Sequence, residues 1–256
     1  MKINKMFLLY CMISSLSFLF AQFPIKQVHS LSPDVGNHFG SDVSVFGNKI
    51  AISSPKEDHS GIFSGSVEIY TLQNSEWVFD TKIMAESPSE FDQFGYSICL
   101  GDSILVVGAP HYGNLGENSK GPHSGTAYIF ELSLSGWHQT QQLTPDDLSK
   151  EYKFGSSIDI HENYIAIGAY NSSGNNTDHS GAVYMYKKEN DTWVLDGEKI
   201  FPLDGQNGDR FGYSLSLSQS DKLYLLVGAY QHDQRKGAAY LFAKNISSLS
   251  FSKEIP

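Results

Sequence analysis

The segment FGYSICLGDSILVVGAP, residues 94–110, decides the fold, because close copies of it recur along the chain. It starts with Phe-Gly, alternates polar and apolar residues, and continues after Gly101-Asp102 as an almost purely apolar run. Alternation predicts a strand with one buried face, whereas a short continuous apolar run predicts a strand buried on both faces. The segment therefore predicts a β-hairpin with a tight turn at Gly101-Asp102, and Gly47-Asn48 predicts the same turn in an earlier copy.

Four copies of this pattern follow one another. Phe-Gly stands at residues 39–40, 94–95, 154–155 and 211–212. Each pair is followed by an apolar segment, which reads IAISSP, LVVGAP, IAIGAY or LLVGAY, and then by SGSVEIY, SGTAYIF, SGAVYMY or KGAAYLF. In the first three copies a tryptophan begins one more strand-like segment, namely Trp77, Trp137 and Trp193. Each unit of about 57 residues thus predicts four strands, and we expect the tryptophans to pack between units.

A sheet of four antiparallel strands cannot bury both of its faces alone, but sheets stacked around an axis can. We therefore predict an all-β fold, a β-propeller of four-stranded antiparallel blades, with about four blades in a small or incomplete ring. The repeats are expected at about 38–93, 94–153, 154–210 and 211–256, within one domain of residues 23–256. Strand-like segments stand both before the first unit and at the end of the chain. They allow either a four-bladed ring with a redundant end strand or part of a longer ring.

The combination of Phe-Gly with GAP resembles the FG-GAP repeat of integrin α-chain-like propellers, and more closely its exported, mainly microbial variant. Departures are modest: Ser53-Ser54-Pro55 stands for GAP in the first unit, and Tyr170 and Tyr230 replace the proline in the third and fourth. The resemblance implies a non-enzymatic protein that mediates protein or glycan binding, or adhesion, at the cell surface or outside the cell. Two alternatives remain open, a hydrolase or lyase acting on polysaccharide and a structural module of a longer polypeptide.

The first 22 residues are typical of a signal peptide. Lys2 and Lys5 precede an apolar run over residues 6–21, and Ala21-Gln22 offers a small-residue cleavage site, so we expect a secreted or cell-surface protein. A membrane anchor is the less favoured alternative, because the run is short for a span. The net charge of −10 disfavours nucleic acid and anionic membranes as partners, and no membrane insertion is expected after removal of the signal. Beyond the signal only Cys99 remains, and we predict a buried thiol.

Asp178, His179 and Ser180 are the residue types of a hydrolytic triad, yet we predict no catalytic residue. Side chains of consecutive residues diverge, whereas a triad needs hydrogen bonds of about 2.6–3.2 Å between groups from distant segments. The fourth unit also places Lys236 at the serine position. We expect no cofactor either. Asp204 and Asp209 form the nearest acidic loop to those that hold calcium in integrin-type repeats, but two carboxylates supply too few ligands.

The long loops are predicted to share one end of the propeller, because the connections into each first strand and between each second and third strand meet there. Variable polar loops on rigid strands are a usual layout of a binding surface. The candidate ligand-binding residues in these loops are Asp58, Glu117, Asp146, Asp147, Asp178 and Asp233. Their charge favours a basic or cation-bridged partner, an extracellular protein or glycan. An open blade edge would also allow self-association.

Overall fold

The computed structural model describes residues 27–30, 34–113, 121–173, 178–245 and 252–253, so the predicted signal peptide lies outside it. Apart from one helical turn, α1 (His232–Arg235), the regular elements are strands, in four antiparallel sheets whose strand order follows the chain. Within the described ranges no helix has the length and apolar character needed to cross a membrane.

The sheets are numbered along the chain. Sheet 1 contains β1 (Val43–Phe46), β2 (Lys49–Ser54), β3 (Ser66–Gln73) and β4 (Glu76–Ile83). Sheet 2 contains β5 (Ser97–Leu100), β6 (Ile104–Ala109), β7 (Thr126–Ser133) and β8 (Gly136–Leu143). Sheet 3 contains β9 (Phe154–His161), β10 (Tyr164–Ala169), β11 (Ala182–Glu189) and β12 (Thr192–Leu195). Sheet 4 contains β13 (Phe211–Gln219), β14 (Leu223–Ala229), β15 (Ala238–Lys244) and β16 (Ser252–Lys253).

The sheets are arranged as propeller blades. The first strands, β1, β5, β9 and β13, pack side by side in that order and together line a central cavity, whereas β4, β8, β12 and β16 lie outermost. The predicted all-β propeller of about four blades is therefore confirmed. Sheets 1 and 4 do not pack on each other in the way that successive sheets do, so the described blades form an open arc.

The first hairpin turns lie at the end of the axis opposite the long loops. Phe46 pairs with Lys49, which places Gly47-Asn48 at the turn as predicted. In sheet 2 the amide of Gly101 donates to the carbonyl of Ile104, so the turn consists of Asp102-Ser103. The predicted turn at Gly101-Asp102 is therefore wrong by one residue, because two-residue turns tolerate either register.

Three hydrophobic clusters, one between each pair of successive sheets, hold the arc together. The phenylalanine of a Phe-Gly pair lies in each, at most 1% exposed: Phe94, Phe154 and Phe211. Each ring contacts the third strand of its own sheet, as Phe94 does Tyr128 at 5.5 Å between centroids. Trp137 and Trp193 pack into these clusters as predicted. We call the face that a sheet turns toward the next sheet its forward face and the opposite one its backward face.

The glycines before each third strand let neighbouring sheets meet backbone to backbone. Gly65, Gly125 and Gly181 form isolated parallel bridges to the phenylalanines of the next sheet. Gly125 has φ +88°, and a Cβ placed on it would lie 2.5 Å from the backbone nitrogen of Phe154. No side chain fits there, so a glycine is required at each of these inter-sheet seams.

Sheet 1 differs from the others on its backward face. Glu68 stands where the other sheets have the first aromatic residue of the third strand, and it is fully buried. Its carboxylate accepts hydrogen bonds from Tyr70 at 2.6 Å and Ser30 at 2.8 Å, and it pairs with Lys82 at 3.3 Å. Residues 27–30 form no strand, but His29 and Ser30 contact the outer part of this face, and at the other end β16 pairs with β15 as the outermost strand of sheet 4.

Candidate functional site

A cavity of about 430 Å³ opens at the long-loop end of the axis, and residues from all four sheets line it. Its wall carries many hydroxyl groups: Ser41, Ser97, Ser156, Ser157 and Ser214. These serines lie on or beside the first strands because the repeat places small polar residues after each Phe-Gly pair. The hydroxyls of Ser97, Ser156 and Ser157 already donate to backbone carbonyls, so these three can offer a ligand only acceptor oxygens. The cavity therefore offers short polar groups on a rigid framework.

Tyrosines and one arginine crowd around the opening of this cavity. The ring of Tyr213 lies 5.5 Å from that of Tyr170 and 4.6 Å from that of Tyr230, and the guanidinium of Arg210 lies 5.4 Å from the Tyr170 ring. Tyr96 of sheet 2 also lines the cavity. Tyr213 and Tyr230 are 46% and 50% exposed, so their faces are available to a ligand. We call this group of four tyrosines and Arg210 the axial mouth.

The phenols of Tyr96 and Tyr170 are held in their neutral form. Burial, and then the proximity of Tyr213 and Tyr230, raise the pKa of Tyr96. Burial also raises the pKa of Tyr170 to about 12, although Arg210 opposes the shift. A protonated phenol both donates and accepts hydrogen bonds. The axial mouth therefore presents apolar ring faces together with neutral hydroxyls.

A histidine pair extends the aromatic surface beyond Tyr96. The ring of His111 lies 6.2 Å from Tyr96 and 5.0 Å from His123. Burial, followed by the charges of Lys153 and His123, lowers the pKa of His111 to about 3. Burial and Lys153 also lower the pKa of His123. Both rings are therefore neutral near pH 7, and they add apolar surface rather than charge.

Two aspartates of the inner strands brace neighbouring sheets. Asp42 accepts the amide of Ile98 at 2.7 Å, and Asp159 accepts that of Leu217 at 2.7 Å. Burial raises the pKa of Asp42, and its backbone hydrogen bonds oppose the shift. These carboxylates hold the first strands in register, and bonding to backbone amides is a structural task.

Cys99 faces the same inner region and is half-buried, so the prediction of a buried thiol is correct only in part. Its thiol donates to Asp159 at 3.5 Å. Burial and then the negative charge of Asp159 raise the pKa of the thiol to about 12. Since the thiolate is the nucleophilic form, this cysteine is unreactive at neutral pH.

The acidic residues predicted to bind ligand are spread over several loops. Asp58 accepts the amide of Phe63 within its own loop at 2.7 Å. Asp233 pairs with Lys236 at 2.7 Å, Asp178 is exposed, and Glu117 lies outside the described residues. Only Asp146 and Asp147 come together. They line a cavity of about 400 Å³, where Asp147 pairs with Lys199 at 2.9 Å.

In the loop of Asp204 and Asp209, which was considered for calcium, Asp209 has a structural role. Asp209 is 2% exposed, and it accepts the amide of Gln206 at 2.7 Å and contacts Nδ1 of His232 at 2.8 Å. Among the described residues there is no group of three or more His, Cys, Asp or Glu side chains that could hold a metal ion.

A second, larger cavity of about 700 Å³ lies at the opposite end, among the hairpin turns of sheets 1 to 3. Phe46, Asp102 and His161 line it, and its Lys188 and Glu131 already pair with each other at 2.8 Å. It lacks the cluster of exposed aromatic rings found at the axial mouth. We therefore favour the axial mouth as the functional site.

Sequence reasoning missed the axial mouth, although two signals for it were visible. Tyr170 and Tyr230 are the residues that replace the proline of GAP, and Tyr96 and Tyr213 follow directly after Phe-Gly. Each pair occurs in only two of the four units. Departures from a repeat mark positions where packing does not impose a residue type, and these four departures converge in space.

Comparison with known proteins gives distant structural matches. No curated protein sequence matches the chain. A GH32 beta-fructofuranosidase mutant of Bombyx mori in complex with sucrose matches 82% of this chain and 47% of its own, with 12% identity and a TM-score of 0.42. A mutant Aleuria aurantia lectin in complex with alpha-methyl-L-fucoside matches 83% of this chain and 59% of its own, with 10% identity and a TM-score of 0.46. The chain thus spans about half the length of these structures.

A sequence-family model gives the decisive match. The model described as FG-GAP repeat matches residues 77–130, 137–186 and 195–242. In all three matches the segment begins in the outermost strand of one sheet and ends in the third strand of the next, so each matched repeat spans an inter-sheet seam. Together the matches cover more than half of the sequence, and the chain belongs to the FG-GAP repeat family.

Proposed function

We propose that this protein is an exported, non-enzymatic propeller that binds a neutral carbohydrate at the axial mouth. The observation that carries the proposal is the convergence of four tyrosines and one arginine over a cavity lined with serine hydroxyls. Ring faces pack on the apolar side of a sugar, while phenol, guanidinium and serine groups satisfy its hydroxyls. The carbohydrate belongs to a glycoprotein or a polysaccharide outside the cell.

Charge supports a neutral ligand over the basic partner expected from the loops. Tyr96 and Tyr170 are protonated near pH 7, and the carboxylate of Asp42 is occupied by backbone amides. Arg210 adds a positive charge beside the rings. A strongly basic peptide would therefore meet no free negative charge among these residues, whereas a sugar would find donors and acceptors.

Export and the absence of catalysis rest on separate observations. Export is supported by the charged and apolar pattern of residues 1–22, and the amino terminus of the mature protein would test it. A binding role without catalysis is supported by the inner-strand groups that could react. Asp42 and Asp159 bond backbone amides, and the pKa of the Cys99 thiol is about 12.

The test is a panel of neutral and charged oligosaccharides, measured by calorimetry with and without chelator. Tyr213→Ala and Tyr230→Ala remove exposed rings, so each should fold normally. Truncating an aromatic anchor of a binding site costs about 2 kcal/mol of binding free energy, which raises the dissociation constant by about 30-fold. Phe46→Ala is the matched control, because Phe46 is equally exposed, at 47%, but lines the cavity at the other end.

We expect a neutral oligosaccharide to bind, to lose affinity in both tyrosine variants and to keep it in Phe46→Ala. Mass analysis of the recovered sugar should show no cleavage. Binding that survives in both tyrosine variants, or that is lost in the Phe46 variant, would show that the axial mouth is not the site. Cleaved sugar would support the enzyme alternative. Binding restricted to proteins without glycans would also contradict the proposal.

A further inference from the structure

The forward face of sheet 4 has the composition of an interior surface. In sheets 1 to 3, one cross-strand pair of apolar residues on the forward face is at most 1% exposed, because the next sheet covers it. These pairs are Ala51 with Ile69, Val106 with Ile129, and Ala166 with Met185. Sheet 4 has Leu226 paired with Leu241 at this position, and these are 47% and 36% exposed. Sheet 4 therefore carries the residues of a covered face without the cover.

The glycine before the third strand of sheet 4 also lacks the neighbouring backbone that its counterparts contact in the described residues. Gly65, Gly125 and Gly181 each receive the backbone of a Phe-Gly pair from the next sheet, closer than a Cβ would allow. Gly237 occupies the same position and has φ +81°, but the nearest atom to a Cβ placed on it is the carbonyl oxygen of Tyr230, at 3.6 Å in its own sheet. Among the described residues, nothing fills the space that a Phe-Gly pair fills at the other three seams.

Sheet 1 carries the complementary half of the same contact. Gly95, Gly155 and Gly212 approach a backbone carbonyl of the preceding sheet so closely that a Cβ would clash. Gly40, with φ +85°, has no such neighbour within 4 Å. Val43 and Val45 of β1 are 64% and 67% exposed, whereas Ile98 and Leu100, their equivalents in β5, are 5% and 4% exposed. The inner half of the backward face of sheet 1 is thus an uncovered interior surface.

Polar groups for the same contact are in place on β13. Ser97 and Ser157 each donate to the carbonyl of the Phe-Gly glycine of the next sheet, at 2.9 and 2.7 Å. Ser214 is the equivalent residue of sheet 4, and it is exposed. Sheet 4 therefore offers an apolar pair, a glycine and a hydroxyl donor for contact with another sheet that has a Phe-Gly pair before its first strand, as sheet 1 has.

We propose that a second copy of this chain supplies that sheet. The uncovered inner half of the backward face of sheet 1 in one copy packs on the forward face of sheet 4 in the other, and a two-fold axis repeats the contact. These two faces do not meet within one chain, because sheets 1 and 4 are not packed together in the described residues. The contact continues the inter-sheet packing already present three times. Two copies give eight sheets, within the range of about four to eight blades in propellers, and a contact repeated around a closed ring leaves no free end.

The test measures molar mass by light scattering after size-exclusion chromatography of the mature protein over a concentration series. Wild type should have the mass of two chains. Leu226→Asp and Val45→Asp each put a carboxylate into the contact, and each should weaken the dimer by at least about a hundredfold. Both positions are exposed in the single chain, so neither variant should unfold. Leu134→Asp is the control, because Leu134 is fully exposed in an outer turn and should leave the dimer intact.

Mixing the two variants separates a direct contact from general damage. A pair made of one Leu226→Asp chain and one Val45→Asp chain has both carboxylates in one contact and none in the other. The mixture should therefore form dimers at concentrations where each variant alone is a single chain. A wild-type protein that stays monomeric, open chains longer than two copies, or a mixture without dimers would each overturn the proposal.

Discussion

Replacing Gly125 with alanine tests whether backbone contact between sheets stabilises the propeller. Alanine at a positive φ costs about 1–2 kcal/mol wherever it occurs. Gly136 has the larger φ, +104° against +88°, and nothing lies within 4 Å of a Cβ placed there. Gly136→Ala therefore measures backbone strain alone. If strain were the whole effect, Gly136→Ala would be the more damaging of the two variants.

The structure predicts the opposite order. A Cβ on Gly125 would lie 2.5 Å from the backbone nitrogen of Phe154. The carbonyl oxygen of Phe154 would lie closer still, so sheets 2 and 3 must separate by more than about 1 Å to reach an ordinary contact distance of about 3.5 Å. Such overpacking of a filled core costs about 1–3 kcal/mol in addition to the strain. The total is about 2–5 kcal/mol for Gly125→Ala, compared with about 1–2 kcal/mol for Gly136→Ala.

Urea unfolding followed by tryptophan fluorescence measures both values. At about 2–4 °C per kcal/mol for a chain of this size, the Tm of Gly125→Ala should also lie several degrees below that of Gly136→Ala. Equal destabilisation, or a larger loss at Gly136, would refute the argument that the glycine is required by the neighbouring sheet.

Two further predictions concern buried ionisable groups. The unfolded chain binds a proton at His111 with an ordinary pKa, whereas burial lowers the folded pKa to about 3, so stability should fall as the pH drops from about 6.5 toward 3. Comparing unfolding free energies near pH 7.5 and pH 5 should give a smaller loss for His111→Gln than for wild type, and an equal loss would contradict the shifted pKa. Lys82→Met leaves Glu68 buried without its cation and should cost about 3–5 kcal/mol in urea unfolding. Lys236→Met, in an exposed pair, should cost at most about 1 kcal/mol, and similar values for both would remove the argument for a buried cluster.

The repeat made the fold predictable, because four copies of one strand pattern leave few ways to bury their apolar faces. The four-strand order of each sheet and the packing of Trp137 and Trp193 between sheets followed from segments that recur along the chain. The exact turn in sheet 2 did not, since one residue of slippage leaves the hydrophobic pattern satisfied. The cover over Glu68 was not foreseeable either, because an acid within an apolar strand gives no sign of which segment will satisfy it.

The candidate site was harder to predict from the sequence than the fold, and the reason is geometric. Loop composition directs attention to the acidic residues at the rim, and Asp147, for example, pairs with Lys199. The tyrosines of the axial mouth come from two different points of the repeat, after Phe-Gly and after the second strand. Only the closure of successive sheets around an axis brings Tyr170 within 5.5 Å of Tyr213.

The tyrosines are unevenly distributed around the axial mouth. Sheet 4 supplies Tyr213 and Tyr230, one from each of the two variable points of the repeat, and sheet 3 supplies Tyr170. Sheet 1 has Ser41 and Pro55 at the same two points. A sugar bound at the mouth would therefore stack toward sheet 4 and hydrogen-bond toward the serines of the opposite wall. In the proposed dimer, Tyr213 and Tyr230 on sheet 4 of one copy would lie beside Ser41 on sheet 1 of the other, and the two-fold axis would repeat this arrangement at the second contact.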